Sequence, residues 1–185
     1  EEDGFRRYPI LPYQSSPANY INKMVSGPDG TFWIGTGDGL AMYNREKDTM
    51  ILYRHDPADP FSINRGKVKS IEFGHDGAIW IVSVMTDFEF GDGITRFDPG
   101  TGTFVTFRND LLDPASISSN YIETALIDQN GILWFGTLDG GLNKYDPHKR
   151  KFHLLQTNPI KPNGLPPGKI YSIFEDSKGI LWTGT

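Results

Sequence analysis

The sequence predicts an all-β fold, a β-propeller fragment built of four-stranded antiparallel blades, with three full blades and parts of a fourth. Three observations predict it. First, a phrase recurs: Gly30-Thr31-Phe32-Trp33-Ile34-Gly35-Thr36, Gly131-Ile132-Leu133-Trp134-Phe135-Gly136-Thr137 and Gly179-Ile180-Leu181-Trp182-Thr183-Gly184-Thr185, with a divergent copy at Gly77-Ala78-Ile79-Trp80-Ile81-Val82-Ser83. All four tryptophans occupy its fourth place, 47, 54 and 48 residues apart (33 to 80, 80 to 134, 134 to 182). A period near 50 residues is that of an array of small sheets. Second, each Trp lies in a short strand bounded by turn residues, with Asn130-Gly131 as the clearest turn, a pair that tolerates positive φ. Third, Trp33-Ile34, Trp80-Ile81 and Trp134-Phe135 are apolar on both faces of their strands. A sheet sandwiched between neighbours needs that pattern, and radial repetition buries both faces of every blade. A hairpin-rich solenoid is the alternative fold.

In chain order, the first repeat (20–54) predicts strands near 20–26, 31–36, 40–44 and 49–54. The second (68–107) predicts strands near 68–73, 78–84, 93–97 and 103–107. The third (121–156) runs from Tyr121 to Gln156, and the fourth (170–185) carries two strands only. Residues 5–8, Phe5 to Tyr8, resemble an outer strand of a preceding or closing blade. The whole of 1–185 thus reads as one segment of a larger domain. Its open ends predict either a strained four-blade ring, completed by Phe5–Tyr8, or association with other blades or a second copy of the chain, because exposed apolar faces drive association. Between blades run linkers rich in proline, 55–64, 109–118 and 158–167; their prolines restrict the unfolded chain.

Composition excludes several functions. With a net charge of −5 and no basic cluster, nucleic acid is not the expected partner, since phosphate binding needs grouped Lys and Arg. The chain has no Cys, so no thiol nucleophile or zinc-thiolate site exists. No apolar run reaches membrane-span length. His55, His75, His148 and His153 share no repeat position and have no nucleophile at a telling spacing. Asp128-Gln129-Asn130-Gly131 and Asp176-Ser177-Lys178-Gly179 look like the start of calcium loops but lack the remaining ligands and the closing Glu; they read as turns. Neither catalysis nor a metal or other cofactor is expected.

Function is expected in the loops. In an up-down meander the A–B and C–D turns of each blade share one face, and the B–C turns share the other with the D–A linkers. The second B–C connection, Met85 to Asp92, is lengthened. Phe88, Glu89, Phe90 and Asp92 place aromatic platforms beside carboxylates, as a sugar site requires, and Asn120 and Tyr121 open the next inner strand on the same face. Tyr20 and Tyr171 stand near the same place in their repeats. Packing under a neighbouring linker is the competing reading of the phenylalanines, and a structural role that of the tyrosines.

The string Asp128-x-x-Gly131-x-Leu133-Trp134-Phe135-Gly136-Thr137-x-Asp139-Gly140-Gly141-Leu142-Asn143-x-Tyr145-Asp146-Pro147 resembles the two-component regulator propeller repeat. Positions 29–44 and 176–185 also match; positions 76–99 depart, with Val82-Ser83 for Gly-Thr and the longer loop. The resemblance implies the periplasmic, non-catalytic sensor region of a hybrid sensor histidine kinase of the Bacteroides type. It implies an oligosaccharide ligand and contact with the membrane only through the parent protein. The alternatives are a structural or protein-docking propeller and a streptogramin lyase. Lyases of that kind share the phrase at Asp76-Gly77-Ala78-Ile79-Trp80 but depend on a hub histidine and magnesium, and no His falls on an inner strand here.

Overall fold

The computed structural model describes residues 8–11, 16–85, 91–155, 165 and 168–185. Among these residues fourteen strands follow one another as meanders. The first blade comprises β1 (Ile21–Ser26), β2 (Phe32–Thr36), β3 (Gly39–Asn44) and β4 (Thr49–Tyr53). The second comprises β5 (Lys67–Phe73), β6 (Ile79–Val84), β7 (Gly91–Asp98) and β8 (Thr103–Phe107). The third comprises β9 (Ile122–Ile127), β10 (Leu133–Thr137), β11 (Leu142–Asp146) and β12 (Lys151–Leu155). β13 (Ser172–Glu175) and β14 (Leu181–Gly184) form a two-stranded fourth sheet. Sequential strands pair antiparallel within each blade. One parallel contact, Gly39 with Lys67, joins the first two blades. The expected outer strand at 5–8 falls partly outside the described residues. Tyr8 lies in no strand, and its ring sits 5.3 Å from Tyr43 of the first blade.

The A–B turn is built by one aspartate. Asp128 Oδ1 accepts from the amides of Asn130 (2.9 Å) and Ile132 (3.0 Å), while Oδ2 accepts from the Trp134 indole at 2.8 Å. Asp176 repeats all three bonds, with Trp182 Nε1 at 2.9 Å. One side chain thereby closes the turn and orients the Trp. In the first two blades Gly27 and Gly74 hold that place, and Asp29 and Asp76 cap the turn two residues later by accepting from Thr31 and Ala78 amides.

Trp33 and Trp80 each pack on the following blade. Trp33 stacks on Tyr53 of its own blade and meets Phe97 of the next at 5.6 Å. Trp80 stacks on Phe107 and meets Tyr145 at 5.1 Å and Phe135 at 6.0 Å. Two cores result, one between the first and second blades around Trp33, the other between the second and third around Trp80. Trp33 and Trp80 are buried, whereas Trp134 is half-buried and Trp182 is 59% exposed. Four equal local sequences thus have unequal burial, because what covers each Trp is the next sheet, and the fourth sheet has only two strands. The Gly after the Trp permits that approach. A Cβ on Gly35 would stand 2.8 Å from Val68 Cγ1, and one on Gly136 2.5 Å from Ile170 Cγ2.

The linkers carry a second repeat. Asp56-x-x-Asp59-Pro60-x-Ser62-Ile63 recurs 54 residues on as Asp110-x-x-Asp113-Pro114-x-Ser116-Ile117, with the same bonds. Ser62 Oγ accepts from Asp56 N (3.0 Å) and Ser116 Oγ from Asp110 N (2.9 Å). Asp56 and Asp110 accept from the amides two residues on, both at 2.9 Å. Ile63 and Ile117, fully buried, plug the two interblade cores. Phe104 N and Phe152 N, on the outer strands, donate to the linker carbonyls of Phe61 and Ala115 at 3.1 Å. The first two linkers are held by this network as well as by proline.

Candidate functional site

The second and third blades meet at the mouth of the hub, on the face shared by B–C turns and D–A linkers. Strand β7 starts here because Gly91 has no side chain: a methyl group at this position would overlap the Asn120 carbonyl oxygen. Gly93 N then donates to that oxygen at 3.1 Å. The structure therefore brings Asp92 beside Asn120 and Tyr121. Phe88, Glu89 and Phe90 lie outside the described residues.

The polar groups here are engaged. Both oxygens of Asp92 accept from Arg108, Oδ1 from Nε at 2.7 Å and Oδ2 from a terminal nitrogen at 3.0 Å. This is the two-pronged geometry that suits guanidinium and carboxylate, and the Asp92 carboxylate raises the Arg108 pKa. Asn64 Nδ2 donates to the Asp92 carbonyl at 2.8 Å, and Asn64 Oδ1 accepts from Thr106 Oγ1 at 2.7 Å. Asn120 Oδ1 accepts from Asn109 N at 2.7 Å, so this side chain fixes the start of the linker. Tyr121 is half-buried, its amide donating to Ser119 Oγ at 2.9 Å. Tyr20 and Tyr171 are 63% and 55% exposed.

Sequence reasoning missed the charged groups next to these. A cavity of about 80 Å³ opens between β5 and β9, lined by Lys67, Lys69, Met85, Tyr121, Glu123 and Leu138 among others. Lys69 pairs with Glu123 across the two blades. The signal was available: Lys67 and Lys69 stand where the first repeat has Tyr20 and Asn22. The cavity is too small to bury a sugar ring. In the second blade the Thr of Gly-Thr is replaced by Ser83. Thr36 and Thr137 donate to the B–C turn carbonyls of Gly39 (2.9 Å) and Gly141 (2.7 Å), whereas the buried Ser83 Oγ has no partner among the described residues. The lengthened connection has replaced the tight turn that the Thr closes.

One hub carboxylate is perturbed. Glu72 lies opposite Trp80 on β5, where the other blades have Val25, Leu126 and Phe174. Burial pushes its pKa from 4.5 up to about 6, opposed by the Lys23 charge and the Ser70 hydroxyl. The folded chain thus holds this proton more tightly than the unfolded chain. Stability is therefore lost as pH rises through the window from 4.5 to about 6, by about 2 kcal/mol. Glu72→Gln is expected to remove that share of the pH dependence, measured as the difference between urea midpoints below and above the window.

Among the described residues no three His, Asp or Glu side chains are grouped to hold a metal ion. No helix among them is long and apolar enough to cross a membrane.

Residues 116–139 and 164–185 match the family model described as two component regulator propeller. No curated protein matches the chain. Among solved structures, the chain is similar to one described as the extracellular domain of a hybrid two component system, BT3049, from B. thetaiotaomicron. The identity is 26% and the TM-score 0.72, over 93% of this chain and 22% of that one. It is also similar in fold to the extracellular domain of BT4673 from the same organism, described as a one component system. Here the identity is 22% and the TM-score 0.70, over 97% of this chain and 21% of that one. A catalytically inactive H270A virginiamycin B lyase from Staphylococcus aureus shares the fold at 17% identity and a TM-score of 0.61, over 91% of this chain and 50% of the lyase. The chain spans about a fifth of the length of the two B. thetaiotaomicron domains. Repeated Trp-centred blades and the likeness to the BT3049 domain agree that the chain folds as consecutive blades of a β-propeller, and 116–139 and 164–185 are the stretches that match the two component regulator propeller model.

Proposed function

We propose that this chain is part of the extracytoplasmic, periplasmic sensor region of a two-component sensor histidine kinase, where it recognises an oligosaccharide without catalysis and relays the signal across the membrane. The observation that carries this reading is the likeness to the BT3049 extracellular domain across nearly the whole chain, together with the matched repeats. Contact is made through the face of the B–C turns and D–A linkers. Phe88, Glu89, Phe90 and Asp92 approach the ligand together with Asn120 and Tyr121, and the Asp92–Arg108 pair holds the end of the loop. The full-length protein with Phe88→Ala and Phe90→Ala is expected to need about tenfold more inducing oligosaccharide for the same transcriptional response, since one stacked aromatic is worth roughly 1–2 kcal/mol. An unchanged response, with a lost response when the opposite turns are altered in a folded protein, places the contact on the other face.

A docking propeller is the second reading, and one observation favours it. Leu111 and Leu112, at the tip of the rigid second linker, are 93% and 92% exposed. The first linker has Pro57 and Ala58 at those places, so the linker fold does not require two leucines.

A further inference from the structure

The opposite face carries a groove that nothing above uses. It lies between the second and third blades near the A–B and C–D turns, encloses about 380 Å³, and is lined by Asp76, Arg96, Val105, Phe107, Tyr145 and Arg150 among others. That volume is within the range of small-ligand sites.

The repeat supplies an internal control. The Trp, the ring stacked on it and the next blade's ring recur at the first interface as Trp33, Tyr53 and Phe97, and at the second as Trp80, Phe107 and Tyr145. Packing therefore demands this aromatic frame. Three positions around it change between the copies. Met42, paired with Trp33, becomes Arg96, paired with Trp80. Phe97, paired with Ile79, becomes Tyr145, paired with Leu133. Gly102, before the outer strand, becomes Arg150. All three changes add hydrogen-bond donors, and all three face one groove.

Their states differ from those of packing residues. Arg96 is held toward the groove by Asp76, 2.9 Å away. Tyr145 is 5% exposed, and among the described residues its hydroxyl has no hydrogen-bond partner. Burial raises its pKa; the charges of Arg96 and Arg150 lower it and those of Asp76 and Asp146 raise it, so both guanidinium groups and two carboxylates reach the same hydroxyl electrostatically. Arg150 is exposed, with no side-chain partner among the described residues. It adopts φ 52°, the left-handed region, where its counterpart is Gly102 at φ 73°. Asp48 holds the same place in the first blade at φ 49°, so the turn accepts a non-Gly residue, and what sets Arg150 apart is its charge beside the groove.

We propose that this groove is a binding site for a carboxylate-bearing sugar. The carboxylate lies between Arg96, Arg150 and the Tyr145 hydroxyl; the ring lies on Val105 and Phe107; and Asp76 accepts from a sugar hydroxyl. Charge-assisted bonds from two guanidinium groups supply the selectivity. That a sugar is the body bearing the carboxylate rests on the oligosaccharide reading above; the anion site itself does not.

The test is calorimetry on the full-length protein with a disaccharide ending in glucuronate, its glucose-ended counterpart, and inorganic sulfate at matched ionic strength. The glucuronate probe is expected to bind at least about tenfold more tightly than either of the others. Arg150→Gly, the residue of the sister repeat, is expected to weaken it about tenfold or more, with a thermal midpoint unchanged or raised. Arg96→Met and Tyr145→Phe, also sister residues, are expected to weaken it as well. No binding of the glucuronate probe, equal binding of the glucose-ended probe, or binding unchanged in the triple variant overturns the proposal. Sulfate binding as tightly as glucuronate overturns the sugar assignment. If no oligosaccharide elicits a response in cells while the groove still binds glucuronate, the sensor reading fails and the groove stands.

Discussion

Replacing Trp80 with alanine is expected to cost about 3–5 kcal/mol of stability, the range for removing a large buried ring. Trp80 is 1% exposed. It is enclosed by Phe107 of its own blade and by Phe135 and Tyr145 of the next. Phe135 and Phe152 fill the adjoining core. The loss strikes the join between two blades rather than one sheet, so both should unfold together. Trp134→Ala is expected to cost less, since a half-buried ring surrenders less on removal; its indole loses one bond, to Asp128. Urea unfolding of the two variants checks the contrast. Equal losses would show that the Trp stabilises its own blade and that the next blade adds nothing.

Gly91→Ala is expected to cost about 3 kcal/mol, the upper part of the usual range for overpacking. The obstacle is backbone, since the new methyl would overlap the Asn120 carbonyl and crowd the Tyr121 Cα. Backbone cannot rotate aside as a side chain can. Relief requires the start of β7 to move away from the start of the third blade. That would break the bond from Gly93 N to Asn120 O and shift Asp92 from Arg108. The substitution should therefore lower stability and oligosaccharide response together. The response is read in the full-length protein under conditions where the variant remains folded. A variant as stable as the parent, with an intact response, would mean that the approach of β7 to Asn120 does not organise the mouth.

Strand positions were legible because their signals are local. Asn130-Gly131, Asp139-Gly140-Gly141 and the Trp phrases mark turns and strands within a few residues, and the observed strands lie within two residues of those expected. Burial of the Trp was not legible to the same degree. Trp134 and Trp33 have near-identical surroundings in the chain, and their difference arises from a sheet some 40 residues further on. The linker repeat was present in plain letters, as Asp56, Asp59, Pro60, Ser62 and Ile63 and their copies. Its function as a bonded plug depends on Ser62 and Asp56 folding back on each other, which proline content alone does not reveal. At the candidate site, the nearness of Asp92 to Asn120 and Tyr121 followed from chain parity. The capture of Asp92 by Arg108 did not, because the two residues meet only through the pairing of β7 with β8. Position-by-position comparison of the repeats finds what motif reading overlooks: Lys67 and Lys69 for Tyr20 and Asn22, Glu72 for Val25, and Arg150 for Gly102.

Hydrogen–deuterium exchange on the full-length protein, with and without the oligosaccharide proposed as its ligand, tests the central claim most directly. The claim is that the face of the B–C turns and D–A linkers is the one that recognises ligand. Protection is expected at 83–93, 119–123 and 138–141, with the A–B turns at 27–31 and 128–132, which lie outside the groove of Asp76, unchanged. Protection confined to those A–B turns and the C–D turns, with the lengthened second connection exchanging as before, would contradict it.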